Sequence, residues 1–235
     1  MKQPHFLFLH IPKCAGTALV RLIEANYPEP NRIPLYQGTH LGDDFKPWFE
    51  KDTGRAFYGH FYWQDSFVRP DVYRFVVLRR PMERELSNYL FLRQSPDPAH
   101  RAWRREWRHF GDYLRAKQAL NHQVRMLSGM GRFAYFQAHQ EEAFEAAKDH
   151  IRRFSRIGFA ESLPESVAGL AEDMGWPSSS IKRHNVGSRK WQVPFLKWRY
   201  RRALEEVTQL DQALYDYAWR LQRERDQKAL GSLSR

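Results

Sequence analysis

The fold of this chain is decided near its amino terminus by the stretch His10-Ile11-Pro12-Lys13-Cys14-Ala15-Gly16-Thr17-Ala18-Leu19, which directly follows the apolar run Phe6-Leu7-Phe8-Leu9. The apolar run predicts a buried strand, and Thr17 begins a stretch with apolar residues at helical spacing. Gly16 leaves room for a close approach of the backbone. The free amides at such a helix start face an anion, and Lys13 adds a full positive charge beside them. The stretch therefore predicts a turn that binds a phosphate or a sulfate.

The nucleoside-triphosphate P-loop is the first alternative for this turn. That motif needs a glycine, four residues and then Gly-Lys-Ser/Thr, whose hydroxyl holds a magnesium ion. Here Lys13 precedes Gly16, the only glycine of the turn. The turn is therefore shorter than a P-loop and has no evident position for a metal ion, and a single 5′-phosphate group of a nucleotide fits it better.

A second strand-to-helix junction lies in the middle of the chain. The apolar run over residues 73–78 is followed by Arg79-Arg80-Pro81 and then by a helical pattern. Arg79 leaves the end of the predicted strand, and Ser87, about two helical turns further on, lies on the same side of the helix. Two such junctions predict a ligand with two separate phosphates.

The two segments together resemble the sulfotransferases that use 3′-phosphoadenosine 5′-phosphosulfate, in particular their heparan sulfate 2-O-sulfotransferase-like carbohydrate branch. Residues 10–17 are similar to the family's 5′-phosphosulfate loop, and residues 78–89 are similar to its Leu-Arg-Asp-Pro…Arg…Ser-x-Tyr block. Two positions depart from the pattern, since Cys14 replaces Thr or Ser and Arg80 replaces Asp. Further similar segments follow in the same order along the chain: Gly59-His60-Phe61, 121–129, 157–161 and 210–215.

The resemblance implies a role for each matched residue. Lys13 would touch the phosphosulfate, while Arg79 and Ser87 would hold the 3′-phosphate. His60 matches the histidine that acts as the base, and Asp65 is the reserve candidate. The amides around the phosphosulfate would be those of one continuous run: Cys14, Ala15, Gly16, Thr17 and Ala18. The structural alternatives are a hydrogen-bonded His60, an Arg79 paired with Glu83 or Glu85, and a Ser87 on an ordinary helix surface.

The implied reaction moves a sulfuryl group from 3′-phosphoadenosine 5′-phosphosulfate to a hydroxyl of a carbohydrate, such as an acidic polysaccharide or a glycolipid. In-line transfer depends mostly on positioning and on charge stabilisation, and no metal ion is expected. A neutral His60 would accept the hydroxyl proton, and Lys13 would stabilise charge on the leaving oxygen. The thiol of Cys14, at a helix start beside Lys13, is expected to ionise readily.

The composition agrees with such an enzyme. A chain of 235 residues with 42% hydrophobic content can bury the core of one domain, and a formal charge of +11 suits a site for phosphates. No run of about 18 apolar residues occurs, so no membrane span is expected. The single cysteine suits a reducing compartment. The animal members of the family that the chain resembles sit in the Golgi behind a membrane anchor, and this chain shows none. The resemblance therefore implies a soluble, cytoplasmic, bacterial enzyme.

Two other segments allow more than one interpretation. Residues 101–109 alternate arginine with tryptophan, which suits sugar stacking, single-stranded nucleic acid or an amphipathic helix. A nucleic-acid binder would explain neither phosphate turn, so no nucleic acid is expected, and a magnesium-dependent phosphotransferase is the third possibility. In the basic stretch 182–191, Arg189 and Lys190 are candidates for contact with the 3′-phosphate or the acceptor, with an ordinary solvated loop as the alternative.

The predicted strands lie over residues 6–10, 55–60, 73–78 and 156–159, separated by helical patterns. This alternation favours a single α/β domain over residues 1–235, with a mainly parallel central sheet flanked by helices. The resemblance implies that its topology is P-loop-like and of the sulfotransferase type. Ligands of such folds bind at the carboxyl ends of the strands. A long amphipathic helix is expected over about residues 197–228.

Overall fold

The computed structural model describes residues 4–36, 54–116, 119–177 and 191–233. In these parts of the chain, five strands form one sheet in which every neighbouring pair is parallel, in the order β2-β3-β1-β4-β5. The strands are β1 (His5–Leu9), β2 (Arg32–Leu35), β3 (Ala56–Gly59), β4 (Val72–Leu78) and β5 (Arg156–Phe159). Helices flank the sheet, and the predicted single-domain α/β fold is confirmed.

The strands follow from their apolar runs. All five residues of β1 are buried, as expected for the central strand of a parallel sheet that is covered on both faces. The four predicted strands are confirmed to within two residues at each end. The strand β2 was not predicted, because it is short and contains Pro34. Proline lacks the amide that a central strand needs, but it is tolerated in β2 because this strand lies at the edge of the sheet.

The described helices connect and cover the strands. They are α1 (Gly16–Asn26), α2 (Pro81–Gln94), α3 (Pro98–Glu106), α4 (Phe110–Arg115), α5 (His122–Ser128), α6 (Phe133–Ala138), α7 (Gln140–Arg152), α8 (Leu163–Met174), α9 (Gln192–Arg199), α10 (Arg201–Val207) and α11 (Gln209–Leu233).

Two hydrophobic clusters stabilise the fold. The larger surrounds the sheet, and the smaller joins one side of α2 to α4 and α10 through Leu86, Tyr89, Phe110, Tyr113 and Leu204. The Arg/Trp-rich segment forms α3 and the turn after it. Trp103 of α3 packs partly buried against the smaller cluster, and Trp107, just after the helix, is buried in it. The smaller cluster also contains Leu86, Tyr89 and Leu92 of α2 and so fixes this helix.

The carboxyl-terminal region differs from the single helix expected over residues 197–228. It consists of α9, α10 and α11, separated at Tyr200 and at Thr208. At the second break the backbone amide of Asn121 donates a hydrogen bond to the carbonyl of Val207. The Asn121 side-chain oxygen accepts from the amides of Leu210 and Asp211 at the start of α11. This long-range contact ends one helix and begins the next, which local periodicity cannot reveal. Of the helices that the structure describes, none is both long and apolar enough to cross a membrane.

Candidate active site

The carboxyl ends of the central strands bring the predicted site residues to one edge of the sheet. Leu9 at the end of β1 pairs with Gly59 of β3 on one side and with Val76 of β4 on the other. His10 and His60 therefore leave neighbouring strands side by side, and their ring centroids lie 4.4 Å apart. This edge is where ligands bind in open parallel sheets.

The turn between β1 and α1 has an unusual backbone. Lys13 (φ 71°) and Ala15 (φ 63°) are both left-handed, and Ala15 precedes α1 without providing a side-chain cap. Left-handed residues in a turn can direct neighbouring backbone amides toward one point, where an anion can bind. The backbone of this turn is compatible with anion binding, which stays a prediction from the sequence.

Main-chain hydrogen bonds within the turn reduce the number of backbone amides that can bind a ligand. Cys14 donates to the carbonyl of Ile11 at 3.2 Å, and Ala18 donates to the carbonyl of Ala15 at 3.1 Å. Within the described part of the chain, main-chain acceptors are found for these two amides but not for those of Ala15, Gly16 and Thr17. Three of the five predicted amides thus remain for a ligand.

The Cys14 side chain points away from the turn and into the core. Its sulfur lies 3.7 Å from Oε1 of Gln123, and the residue is fully buried. Burial raises the pKa of the thiol to about 12. The expectation of a readily ionised thiol was wrong, because the side chain is desolvated although its backbone lies at the start of a helix.

His10 packs on the turn from the side of β1, a role that the sequence did not predict. A Cβ atom on Gly16 would lie only 1.6 Å from Nε2 of His10, so the ring occupies the space that the glycine leaves. The Nδ1 of His10 is 2.9 Å from the hydroxyl of Tyr36. Burial, together with the nearby His60 and Lys13, lowers the pKa of His10 to about 3, so that the ring is neutral.

Arg79 joins the two predicted phosphate turns directly. Its guanidinium Nη1 donates to the carbonyl of Lys13 at 3.0 Å. The side chain of Gln123 fixes the backbone of Arg79, accepting from its amide at 3.1 Å and donating to its carbonyl at 2.9 Å. Glu83 and Glu85, the alternative partners of Arg79, are instead paired with Lys197 and Arg84.

The charges around Lys13 act on its ammonium group. Burial, followed by the cations of Arg79 and Arg84, lowers the pKa of Lys13 from its ordinary value. The Nζ atom lies 4.1 Å from the ring centroid of Phe91 on α2. Repulsion between these neighbouring cations would be relieved by an anion, which supports the interpretation of this turn as an anion site.

Ser87 lies on the face of α2 that carries Phe91. Glu83, Ser87 and Phe91 are four residues apart, so they form one stripe along the helix. Since Lys13 Nζ lies over Phe91, the stripe runs beside the turn. The structure thus brings Ser87 to the same side of the fold as Lys13 and Arg79.

His60 has the hydrogen-bonding pattern of a base. Its Nδ1 lies 2.7 Å from the carbonyl of His10, and a carbonyl can only accept, so Nδ1 carries the proton and Nε2 has a free lone pair. The residue is exposed to solvent, but the packing of its ring against His10 and Tyr36 partly desolvates it and lowers the pKa of His60. His60 is therefore neutral near pH 7.

His60 opens into a cleft of about 440 Å³ between the turn, α2 and α3. The sequence did not identify several of its lining residues, among them Arg84, which forms a fully buried ion pair with Glu85 at 2.9 Å. Arg84 stands within the matched block at residues 78–89, and this position in the sequence could have identified it as a site residue. The other polar and aromatic lining residues include Asn88, Phe91, Ser95, Asp97, His100, Trp103 and His122.

Other candidates lie outside the cleft or outside the described residues. Asp65, the reserve base, is exposed and forms an ion pair with Arg153 at 3.0 Å, and it does not line the cleft. Arg189 and Lys190 fall outside the residues that the structure describes. Among the described side chains, no group of three or more His, Cys, Asp or Glu is arranged to hold a metal ion.

Replacing Gln123 by glutamate should loosen the junction between the two turns. A carboxylate cannot donate to the carbonyl of Arg79, and it would bring a charge to a residue that is only 1% exposed. We expect Gln123→Glu to lower the free energy of unfolding by about 1–3 kcal/mol in urea denaturation. The exposed Gln137→Glu is the matched control. Equal stability of the two variants would show that the Gln123 amide does not tether Arg79.

Comparison with known proteins places the chain in a family. It matches the sequence model of the Sulfotransferase family over residues 1–218, and no curated protein has a matching sequence. A mouse sulfotransferase, SULT7A1, whose crystal structure is complexed with PAP, is similar at a TM-score of 0.43 and 10% identity over 83% of this chain, which spans 65% of the mouse protein's length. A sulfotransferase from Alicyclobacillus acidocaldarius is similar at a TM-score of 0.37 and 13% identity, over 89% of this chain and 97% of that one. On the strength of the sequence match over residues 1–218, this chain belongs to the sulfotransferase family.

Proposed function

We propose that this chain transfers a sulfuryl group from 3′-phosphoadenosine 5′-phosphosulfate to a hydroxyl of a carbohydrate, as a member of the heparan sulfate 2-O-sulfotransferase-like branch. The observation that carries the proposal is the bond from Arg79 Nη1 to the carbonyl of Lys13. It joins the two turns closely enough for one small nucleotide to have a phosphate at each. Family membership supports the same donor.

The residues of the two turns suit the two ends of this donor. The amides of Ala15, Gly16 and Thr17, with Lys13, would hold the 5′-phosphosulfate. Arg79 and Ser87 would hold the 3′-phosphate, and Arg189 is kept as a further candidate ligand for it. Cys14 and Ala18 support the turn through their packing and their own backbone hydrogen bonds.

The donor supplies an activated sulfuryl group on a phosphate leaving group. The ammonium of Lys13 stabilises the negative charge that develops on the leaving oxygen. His60 Nε2, whose lone pair is free because Nδ1 is bonded to His10, takes the proton of the acceptor hydroxyl. The neutral state of His60 makes this proton transfer available near pH 7.

The chemistry of the cleft supports a carbohydrate as the acceptor. Aromatic side chains such as Trp103 pack on the apolar faces of sugar rings, while Asn88, Ser95 and Asp97 offer hydrogen-bonding groups for hydroxyls. An acidic polysaccharide and a glycolipid both remain acceptors of this class. We place the reaction in the cytoplasm, since the single cysteine is a free thiol.

Donor binding is tested by thermal unfolding with 3′-phosphoadenosine 5′-phosphate, the donor without its sulfuryl group. At 100 times its Kd, a ligand that binds only the folded state adds about 2.7 kcal/mol, which raises the Tm of a chain of this size by about 5–10 °C. Arg79→Lys should lose most of this shift, and the exposed Arg108→Lys should keep it. A larger shift with ATP and magnesium would favour a phosphotransferase, and a larger shift with single-stranded DNA would favour a nucleic-acid binder.

Removal of Lys13 should affect turnover more than donor affinity. If Lys13 stabilises the leaving oxygen, Lys13→Ala lowers kcat by about 10²–10³-fold and changes the KM for the donor much less. Steady-state kinetics of sulfate transfer to a panel of glycans provides the measurement. Lys228→Ala, at an exposed position of α11, is the control. An unchanged kcat with a raised KM would contradict the proposed role of Lys13.

The pH dependence of the reaction tests His60 as the base. A base must be neutral, and burial lowers the pKa of His60, so kcat/KM should begin to fall only below about pH 6.5, the ordinary value for histidine. His60→Gln should reduce kcat by about 10²–10⁴-fold and remove this acidic limb. His139→Gln is the matched control, since His139 Nδ1 also lies near a backbone carbonyl, that of Tyr135. Persistence of the limb in His60→Gln would assign the base to another group.

A further inference from the structure

The start of α9 exposes three large aromatic side chains to solvent. Trp191 is 76% exposed, Phe195 61% and Trp198 75%. They make up half of the exposed large hydrophobic residues in the described ranges, the others being Val68, Phe91 and Tyr135. Exposed aromatic residues concentrated in this way mark an interaction surface rather than ordinary scatter.

These aromatic residues form one face of the helix. Trp191 has a helical backbone (φ −61°, ψ −24°), so the geometry of α9 extends to it. At about 100° per residue, Trp191, Phe195 and Trp198 fall within about 60° of one another. Val193 and Leu196 lie on the opposite side and pack into the smaller hydrophobic cluster. The helix is therefore held to the protein by one face while the other remains uncovered.

Cations lie next to this aromatic face. Arg199 falls about 40° beyond Phe195 on α9, and Arg201 and Arg202 follow at the start of α10. The sequence contains no aspartate or glutamate between Asp173 and Glu205. Lys197 lies on the side of α9 that holds Val193, at least about 100° from each of the three aromatic residues, and it pairs with Glu83. Arg201 forms an exposed ion pair with Glu205.

We propose that this surface, Trp191, Phe195 and Trp198 with the cations of Arg199, Arg201 and Arg202, docks on an anionic lipid bilayer. Tryptophan and phenylalanine are favoured at the headgroup level of membranes, and adjacent Lys and Arg bind anionic headgroups. A helix with an exposed aromatic face and neighbouring cations fits the broad, negatively charged surface of such a bilayer. The proposal concerns binding at the membrane surface and does not involve a membrane-spanning segment.

The helix α9 lies against α2, which forms one wall of the cleft. Lys197 Nζ bonds Glu83 at 2.6 Å, and Glu83 stands one turn before Ser87 and two turns before Phe91 on α2. Docking would therefore place α2, with its wall of the cleft, directly behind α9 at the membrane surface. In combination with the proposed function, on which this step rests, the surface favours a lipid-linked carbohydrate over a freely diffusing polysaccharide as the acceptor.

Vesicle binding tests the surface without any assay of activity. The full chain is sedimented with vesicles of phosphatidylcholine alone or with phosphatidylglycerol. We expect binding to the anionic vesicles that weakens with added salt, and a blue shift of tryptophan fluorescence. The variant Trp191→Ser/Phe195→Ser/Trp198→Ser should lose at least about tenfold in vesicle affinity. Val68→Ser/Tyr135→Ser, which removes exposed hydrophobic residues elsewhere, should bind as the unmodified chain does.

The outcomes separate this proposal from the proposed function. The serine variant should keep its Tm and its stabilisation by 3′-phosphoadenosine 5′-phosphate, since its substitutions are on an exposed face. A chain that is stabilised by this nucleotide but does not bind anionic vesicles would overturn the docking proposal alone. Full vesicle binding by the serine variant would also overturn it, as would tighter binding to single-stranded DNA that the same substitutions abolish.

Discussion

The hydrogen bond from Arg79 to the carbonyl of Lys13 is the constraint on which the site depends. Left-handed backbone at a residue with a side chain costs roughly 1–2 kcal/mol, and the turn contains two such residues, Lys13 and Ala15. A hydrogen bond from a charged group contributes about 1.5–3 kcal/mol. One guanidinium bond therefore offsets about one strained residue, and the burial of Cys14 and the packing of His10 on Gly16 provide further stabilisation.

Arg79 can hold the turn because its own backbone is fixed from a distant part of the chain. Gln123 on α5 bonds both the amide and the carbonyl of Arg79. The start of α5 is in turn capped by Asp211 of α11, whose carboxylate accepts from the amides of Gln123 and Val124. Asn121 makes the reciprocal cap on α11. The carboxyl-terminal helix α11 thus supports the turn between β1 and α1 through two helix caps and the side-chain amide of Gln123.

The features that could be predicted from the sequence are those that depend on local residue patterns. The buried runs of β1 and β4, and the helix that follows each, can be recognised from apolar spacing, and the residues at those two junctions meet in the structure. Long-range contacts could not be predicted in this way. The direction of the Cys14 side chain depends on Gln123, and the break at Thr208 depends on Asn121. The pairing of β2 with β3, despite Pro34, depends on its place at the sheet edge.

The helix α2 connects the cleft to α9, because its residues contact both. Its face with Arg84 and Phe91 meets the turn and the cleft, while Leu86, Tyr89 and Leu92 belong to the smaller hydrophobic cluster, against which Val193 and Leu196 of α9 pack. The polar face of α2 also holds Lys197 through Glu83. Because the interior is close-packed, a displacement of α9 is expected to be passed on to α2. The turn itself is held separately, by its continuity with β1 in the sheet and by the bond from Arg79 to Lys13.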